Sequence, residues 1–384
     1  MEEALNQLIK KHEILRSVIS VDHNRVEAIL LNQVEIHLEY LENNVNDHIE
    51  NFRLINREFD IYNGPMYWFL LVKKQNRYFL YTAIHHLLVD GYSISLLIDD
   101  LLKLYTNEAE TDERSNKSTY RSYVEKEAYF LKNQTMNEDF WRSVFPEPPH
   151  YPFFAAKNCA QDQDTIHKLP AFYLPNETGI VIDTASKQEG TTHFVILLSA
   201  YILTLSKWKK SEDIVLGTVL NDRLHNEWRD VVGPMIKMLP FRIVVDPKET
   251  ISAFMRRVNS MLDAVYKHKD YPLTNLTQRL YPTHNAGQNP LFDTVFVYQN
   301  QNKNHYKNHV IQADIQYYEK SSANFSLFVN IYKQENNRYS YTVNCNPNII
   351  DQDDIRYFAY QFHAMLRIMC ISRDSTVNKL LLGS

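Results

Sequence analysis

The chain has 384 residues, 44% of them hydrophobic and 23% charged, with a net charge of −5. That balance belongs to a folded globular protein and excludes both a disordered chain and a globally basic nucleic-acid binder. Only 8 glycines occur, and none falls in GxGxxG, GxxxxGK[ST] or GxSxG, so a dinucleotide fingerprint, a P-loop and a nucleophile elbow are absent.

Ala4, Leu5, Leu8, Ile9 and Leu15 recur at helical spacing, so the chain opens on an amphipathic helix that lacks the apolar core of a signal peptide. Between residues 66 and 86 the runs MYWFLLV and YFLYTAIHH flank KQNR and predict a hairpin. Asp90-Gly91-Tyr92-Ser93 breaks the second strand. Ser93 is placed to cap a helix whose apolar residues are Ile94, Leu97, Ile98, Leu101 and Tyr105. Residues 107–118 read as a loop, and 123–131 and 137–144 as aromatic-rich helices. The stretch 145–174, with PEPPHYP and AKNCAQDQD, reads as a boundary and gives two domains, 1–150 and 151–384. Beyond it the pattern predicts a helix at 192–208, a strand at 213–219, a helix at 252–268 and a strand at 293–298. A hairpin near 325–343 and a last helix at 353–371 follow. Both halves are therefore α/β. Cys159, Cys345 and Cys370 are too few and too widely spaced for a zinc knuckle or a disulfide framework, which predicts a cytoplasmic protein. No run approaches the ~20 apolar residues of a membrane span.

One segment carries chemistry: Ala83-Ile84-His85-His86-Leu87-Leu88-Val89-Asp90-Gly91-Tyr92-Ser93. Two histidines end an apolar strand, with an acid and a glycine at the turn into a helix. Side chains alternate along a strand, so His85 and His86 are expected to face opposite ways. Spacing leaves two readings open: one imidazole serves as a base or positioning group near neutral pH, or both are satisfied buried histidines beside a simple turn. A metal site is disfavoured, because adjacent strand histidines diverge and no third ligand is near. Asp90, among apolar neighbours, needs a cationic or hydrogen-bonding partner. His305 and His309, in the polar NKNHYKNH, read as a solvated face. So do the clusters Arg256-Arg257 and Lys207-Lys209-Lys210, which would also suit an acidic docking partner.

HHLLVDGYS resembles the HHxxxDGxS signature of the condensation domains of nonribosomal peptide synthetases, in the chloramphenicol-acetyltransferase-like superfamily. Lys11-His12-Glu13-Ile14-Leu15-Arg16 is similar to the family's RHExLR, and Tyr120-Arg121-Ser122-Tyr123 with Trp141 to its YxDYAxW region. GTVLNDR at 217–223 and VVGPMIKMLPFR at 231–242 resemble the IGxFVNTLPLR stretch. His268-Lys269-Asp270-Tyr271-Pro272 resembles (H/N)QDYPFE, and Asn289-Pro290-Leu291-Phe292 the family's NPLF. Six ordered matches cover nearly the whole chain.

The resemblance implies an α/β fold of two chloramphenicol-acetyltransferase-like lobes in a V-shaped pseudo-dimer with a central tunnel. It implies amide-bond formation between a carrier-tethered acyl or peptidyl thioester and an amine acceptor. Donor and acceptor carrier proteins would be the partners, with no nucleic acid or membrane. Substrates would arrive on 4′-phosphopantetheine, with no permanently bound cofactor and no metal. His86 would deprotonate or orient the amine; His85 would be structural; Asp90 would pair with an arginine, for which Arg16, Arg223 and Arg242 are candidates. Gly91 would keep the turn open, and Tyr92 stands where the family often has Trp. An ester-forming O-acyltransferase and a non-catalytic docking module are the competing readings. Departures from the pattern are Lys237-Met238 for Asn-Thr, Gly287-Gln288 for Ser-Arg, Ser122 for the acid, and a chain that begins at the helix following the family's SxAQxRLW segment.

Overall fold

The structure is a computed structural model that describes residues 1–23, 25–42, 57–108, 118–131, 135–149, 167–168, 171–282, 291–300, 305–307, 310–316, 325–346 and 348–383. Cys159, Asn289, Pro290 and His309 lie outside the described residues. Two compact units result: Met1–Tyr129 with Asn221–Ile236 and Lys303–Lys320, and Phe130–Leu220 with Lys237–Asn302 and Ser321–Ser384. The units are therefore not the continuous stretches 1–150 and 151–384 expected from composition. Segment 221–236 joins the first unit because it supplies hydrogen-bond partners to buried groups there, described below.

In the first unit, Tyr67–Lys74 is the central strand of three, parallel to Glu39–Glu42 and antiparallel to Arg77–Ile84. The expected hairpin is present, but its second strand stops at Ile84. His85 and His86 lie past its end. Helix Glu2–Lys11 buries Ala4, Leu5, Leu8 and Ile9, one face at the i, i+3, i+4 period. Leu97 and Leu101 of helix Gly91–Thr106 join the same core, together with Tyr67, Phe69, Leu88, Val89 and Val232. A separate hairpin, Ser17–Asp22 with Arg25–Leu30, has no counterpart in the predicted elements.

The second unit is built on a seven-stranded mixed sheet. Its main path runs His167–Lys168, Tyr339–Cys345, Leu327–Lys333, Thr294–Asn300, Asp213–Asn221, Ile236–Val244. Phe172–Tyr173 also pairs with Tyr339–Cys345. Among the described residues the last strand of that path has one paired side, which suits Pro240 inside it: proline removes a donor that an edge strand need not use. Helix His193–Lys209 is apolar all round, and every residue from Val195 to Ser206 is buried, as expected of a helix enclosed on all sides. Trp141, Tyr201, Phe254, Phe296, Tyr341, Phe358 and Phe362 are among the large fully buried side chains of this core. Among the described residues, no helix is long and apolar enough to cross a membrane.

Candidate active site

The hairpin end is closed by a tight turn. His85 N–H donates to Met66 O at 2.8 Å, and Leu88 N–H donates to His85 O at 3.0 Å. Leu87 N–H donates to His85 Nδ1 at 3.1 Å, and the Phe59 ring meets the half-buried imidazole edge-on at 6.1 Å. Burial lowers the His85 pKa, and the neighbouring His86 adds to the effect. His86 is exposed, and no hydrogen bond to another described residue holds its imidazole. The two histidines thus have different surroundings, but strand alternation is not the cause, since both lie beyond the strand. Both belong to the 85–88 turn, in which the His85 ring packs against Phe59 and accepts from Leu87 N–H while His86 stays exposed.

Leu88 and Val89 are buried and anchor the chain before Asp90, which is fully buried. Asp90 caps helix Gly91–Thr106: its Oδ1 accepts from Ser93 N–H at 2.8 Å. The cap is therefore three residues earlier than Ser93, the residue expected from the sequence. Asp90 Oδ2 accepts from Arg223 Nη1 at 2.7 Å and from Met235 N–H at 2.9 Å. The Arg223 side chain is 2% exposed and spends its remaining donors on Val231 O (3.4 Å from Nε, 3.2 Å from Nη2), Asn221 Oδ1 (3.2 Å), Ser93 Oγ (2.8 Å) and Gly233 O (2.7 Å). Its guanidinium lies 4.8 Å from the centre of the Tyr92 ring. A guanidinium, with five donors in a fixed fork, can saturate this many acceptors at once; an ammonium cannot.

Of the three arginine candidates, the structure brings only Arg223 to Asp90. Arg16 donates to the carbonyls of Leu31 (2.8 Å) and Asn32 (3.3 Å), which fixes the connection after the Arg25–Leu30 strand. Arg242 forms a two-point pair with Asp213, at 3.0 and 2.7 Å, within the second unit. Gly91 has an ordinary helical start, and a Cβ added there meets nothing within 4 Å, so the surface beside the turn is open.

Sequence reasoning named Ser93, Tyr120, Tyr123 and Gly233 as a cap or as motif members but did not join them into this network. Ser93 Oγ donates to Gly233 O at 2.9 Å and accepts from Gly233 N–H at 3.0 Å. Tyr120 lies so close to Gly233 that an added Cβ would be 2.1 Å from its Cδ2, and its hydroxyl donates to Pro234 O at 3.3 Å. Tyr123 donates to Asp222 Oδ2 at 2.9 Å and meets Trp228 edge-on at 5.6 Å. The signal for Gly233 was a glycine in an otherwise apolar run, VVGPM; Ser93 was marked only as a helix cap and as the last residue of the HHLLVDGYS match, neither of which points to Gly233. Trp141 and the His268–Pro272 motif lie in the second unit. Trp141 Nε1–H donates to His268 O at 2.9 Å, and Lys237 pairs with Asp270 at 2.6 Å.

The condensation-domain family matches residues 1–383, and the chain belongs to that family. Bacitracin synthase 1 of Bacillus licheniformis is 28% identical over 310 residues, covering 77% of this chain and 6% of the relative. The chain thus spans a small part of the curated relatives it matches. Its fold is similar to that of the condensation domain from the monacolin K polyketide synthase MokA, with a TM-score of 0.82 at 16% identity, covering 98% of this chain and 90% of that one. A four-domain nonribosomal peptide synthetase bound to AMP and glycine gives a TM-score of 0.80 at 15% identity, covering 98% of this chain and 30% of that one. The α/β fold expected from the resemblance is the fold observed.

Proposed function

We propose that this condensation domain forms an amide bond between an acyl or peptidyl thioester and an amine, both delivered on the 4′-phosphopantetheine arms of carrier proteins. The observation that carries the reading is the exposed His86 imidazole, on a turn whose next residues are fixed by the buried Asp90–Arg223 pair. The acceptor nitrogen attacks the thioester carbonyl carbon; the C–N bond forms, the oxyanion collapses and the C–S bond breaks. His86 takes the proton that the nitrogen must lose and returns it to the departing thiolate. Thioester aminolysis is intrinsically easy, so holding the amine against the carbonyl supplies much of the acceleration. Asp90 and Arg223 act on the turn and touch neither substrate. Gly91 leaves the surface beside His86 open, and His85 holds the turn through its ring nitrogen.

The test is carrier-to-carrier transfer with His86→Ala. The variant should melt as the wild type does and lose roughly 10²-fold or more in transfer rate, the usual effect of removing a general base. Transfer at the wild-type rate would remove His86 from the reaction.

A further inference from the structure

We infer that Ser93 is a positioning residue for His86, acting through the 231–235 segment without touching substrate. Its role in turnover rests on the proposed condensation reaction; its role in geometry does not. Ser93 is fully buried in the first turn of helix Gly91–Thr106, and its hydroxyl is saturated, donating once and accepting twice.

Removing that hydroxyl affects its three partners unequally. Gly233 O keeps Arg223 Nη2 at 2.7 Å, and Arg223 Nη2 keeps the carbonyls of Gly233 and Val231. Gly233 N–H has no other hydrogen bond among the described residues, so it alone is stranded. The Asp90 cap survives, because Ser93 contributes it through its backbone N–H, and the Asp90–Arg223 contact survives as well. The Ser93 hydroxyl therefore controls one thing, the seating of Gly233.

Gly233 stands between two residues that brace the chain just after His86. Val232 is 3% exposed and shares a core cluster with Leu88 and Val89. Met235 N–H donates to Asp90 Oδ2 at 2.9 Å. Releasing Gly233 loosens both neighbours of the 88–90 stretch while leaving the ion pair in place. The result is a turn that still forms but no longer holds His86 in one place.

The experiment compares wild type, Ser93→Ala and Ser93→Thr by amide hydrogen exchange and by the pH titration of the His86 imidazole C–H signal. Both are read on the whole chain without substrate. In Ser93→Ala, exchange at 231–235 should rise by roughly 10²-fold while the rest of the first unit is unchanged, as for a local opening. The His86 signal should shift or split, and Ser93→Thr, which restores a hydroxyl, should recover both. In the transfer assay, kcat should fall by about tenfold at unchanged KM for the loaded carriers, the mark of lost transition-state alignment. Wild-type exchange at 231–235 together with an unmoved His86 signal in Ser93→Ala would overturn the inference. Should Ser93→Ala not fold, rapid exchange of Gly233 N–H in the wild type would overturn it and slow exchange would support it. If His86→Ala keeps full transfer, the condensation chemistry fails while the exchange and titration results still decide the role of Ser93.

Discussion

Leu87 donates its backbone N–H to His85 Nδ1 at 3.1 Å, so the neutral His85 ring carries its proton on Nε2. Protonating Nδ1 would put two donors face to face and open the turn that carries His86. Burial lowers the pKa of His85, and also those of His193, His268 and His363, from the ordinary value of 6.5. A depressed histidine pKa means that the unfolded chain takes up protons first as pH falls. These groups contribute stability that is present above 6.5 and lost as pH drops through and below it. Urea unfolding at about pH 7.5 and about pH 5.5 should show the decline. His85→Asn, which keeps a side-chain acceptor but cannot titrate there, should show a smaller one. Identical pH dependence in the two proteins would exclude His85 from the effect.

Asp90→Asn keeps the shape of the carboxylate and remains a good helix cap. It removes the charge facing a guanidinium that is 2% exposed. Breaking a buried pair by neutralising one partner costs about 3–5 kcal/mol. That loss should appear in urea unfolding and in soluble yield, along with lost transfer. A stability change below about 1 kcal/mol, within the range of exposed pairs, would mean that the pair is not desolvated in solution.

Gly233→Ala should be destabilising because its Cβ lands 2.1 Å from the Tyr120 ring. Overpacking of this kind costs about 1–3 kcal/mol. Tyr120→Ala in the same chain removes the obstacle, so the double variant should lose less than the sum of the two single losses. Strict additivity in thermal melts would show that the ring and the glycine are not in contact.

Helix Gln352–Ile371 begins with a reciprocal cap: Asp354 N–H donates to Asp351 Oδ1 at 2.8 Å, and Asp351 N–H to Asp354 Oδ2 at 3.4 Å. Asp351→Ala should cost about 1 kcal/mol of stability and leave transfer per folded molecule unchanged. Lost turnover at wild-type stability would contradict a purely structural role.

Periodicity recovered the long elements because their burial patterns repeat. The predicted helix at 192–208 is His193–Lys209, that at 252–268 is Ile251–Lys267, and the strand at 213–219 is Asp213–Asn221. It missed Ile236–Val244, where Pro240 argues against a strand unless the strand lies at an edge, a property of the sheet and not of the segment. It also missed Asn176–Glu189, whose buried residues include Thr178 and Gly179 and so give a weak apolar stripe. At the site, Asp90 and His86 stood in one short run, whereas Arg223 is 133 residues from Asp90 and Gly233 is 140 from Ser93. Burial requires a partner for Asp90, but local spacing could not choose among Arg16, Arg223 and Arg242. The closing turn at 85–88 was hidden because HH continues an apolar strand without the glycine or proline that usually marks a break.

Segment 221–236 belongs to the first unit, yet it enters the chain 92 residues after that unit's Met1–Tyr129 stretch ends (221 − 129). No single cut can therefore excise a working N-terminal half. A fragment of residues 1–150 would keep Asp90 but leave Arg223, Gly233 and Val232 behind. A buried carboxylate would face no counter-charge, and Leu88 and Val89 would lose an apolar neighbour. Such a piece should be recovered as aggregate, and supplying residues 221–236 through a grafted linker should bring it into solution. The histidine turn and its brace come from stretches far apart in the chain, so transplanting this unit into a related domain requires Met1–Tyr129 and Asn221–Ile236 to move together, along with the unit's remaining stretch, Lys303–Lys320.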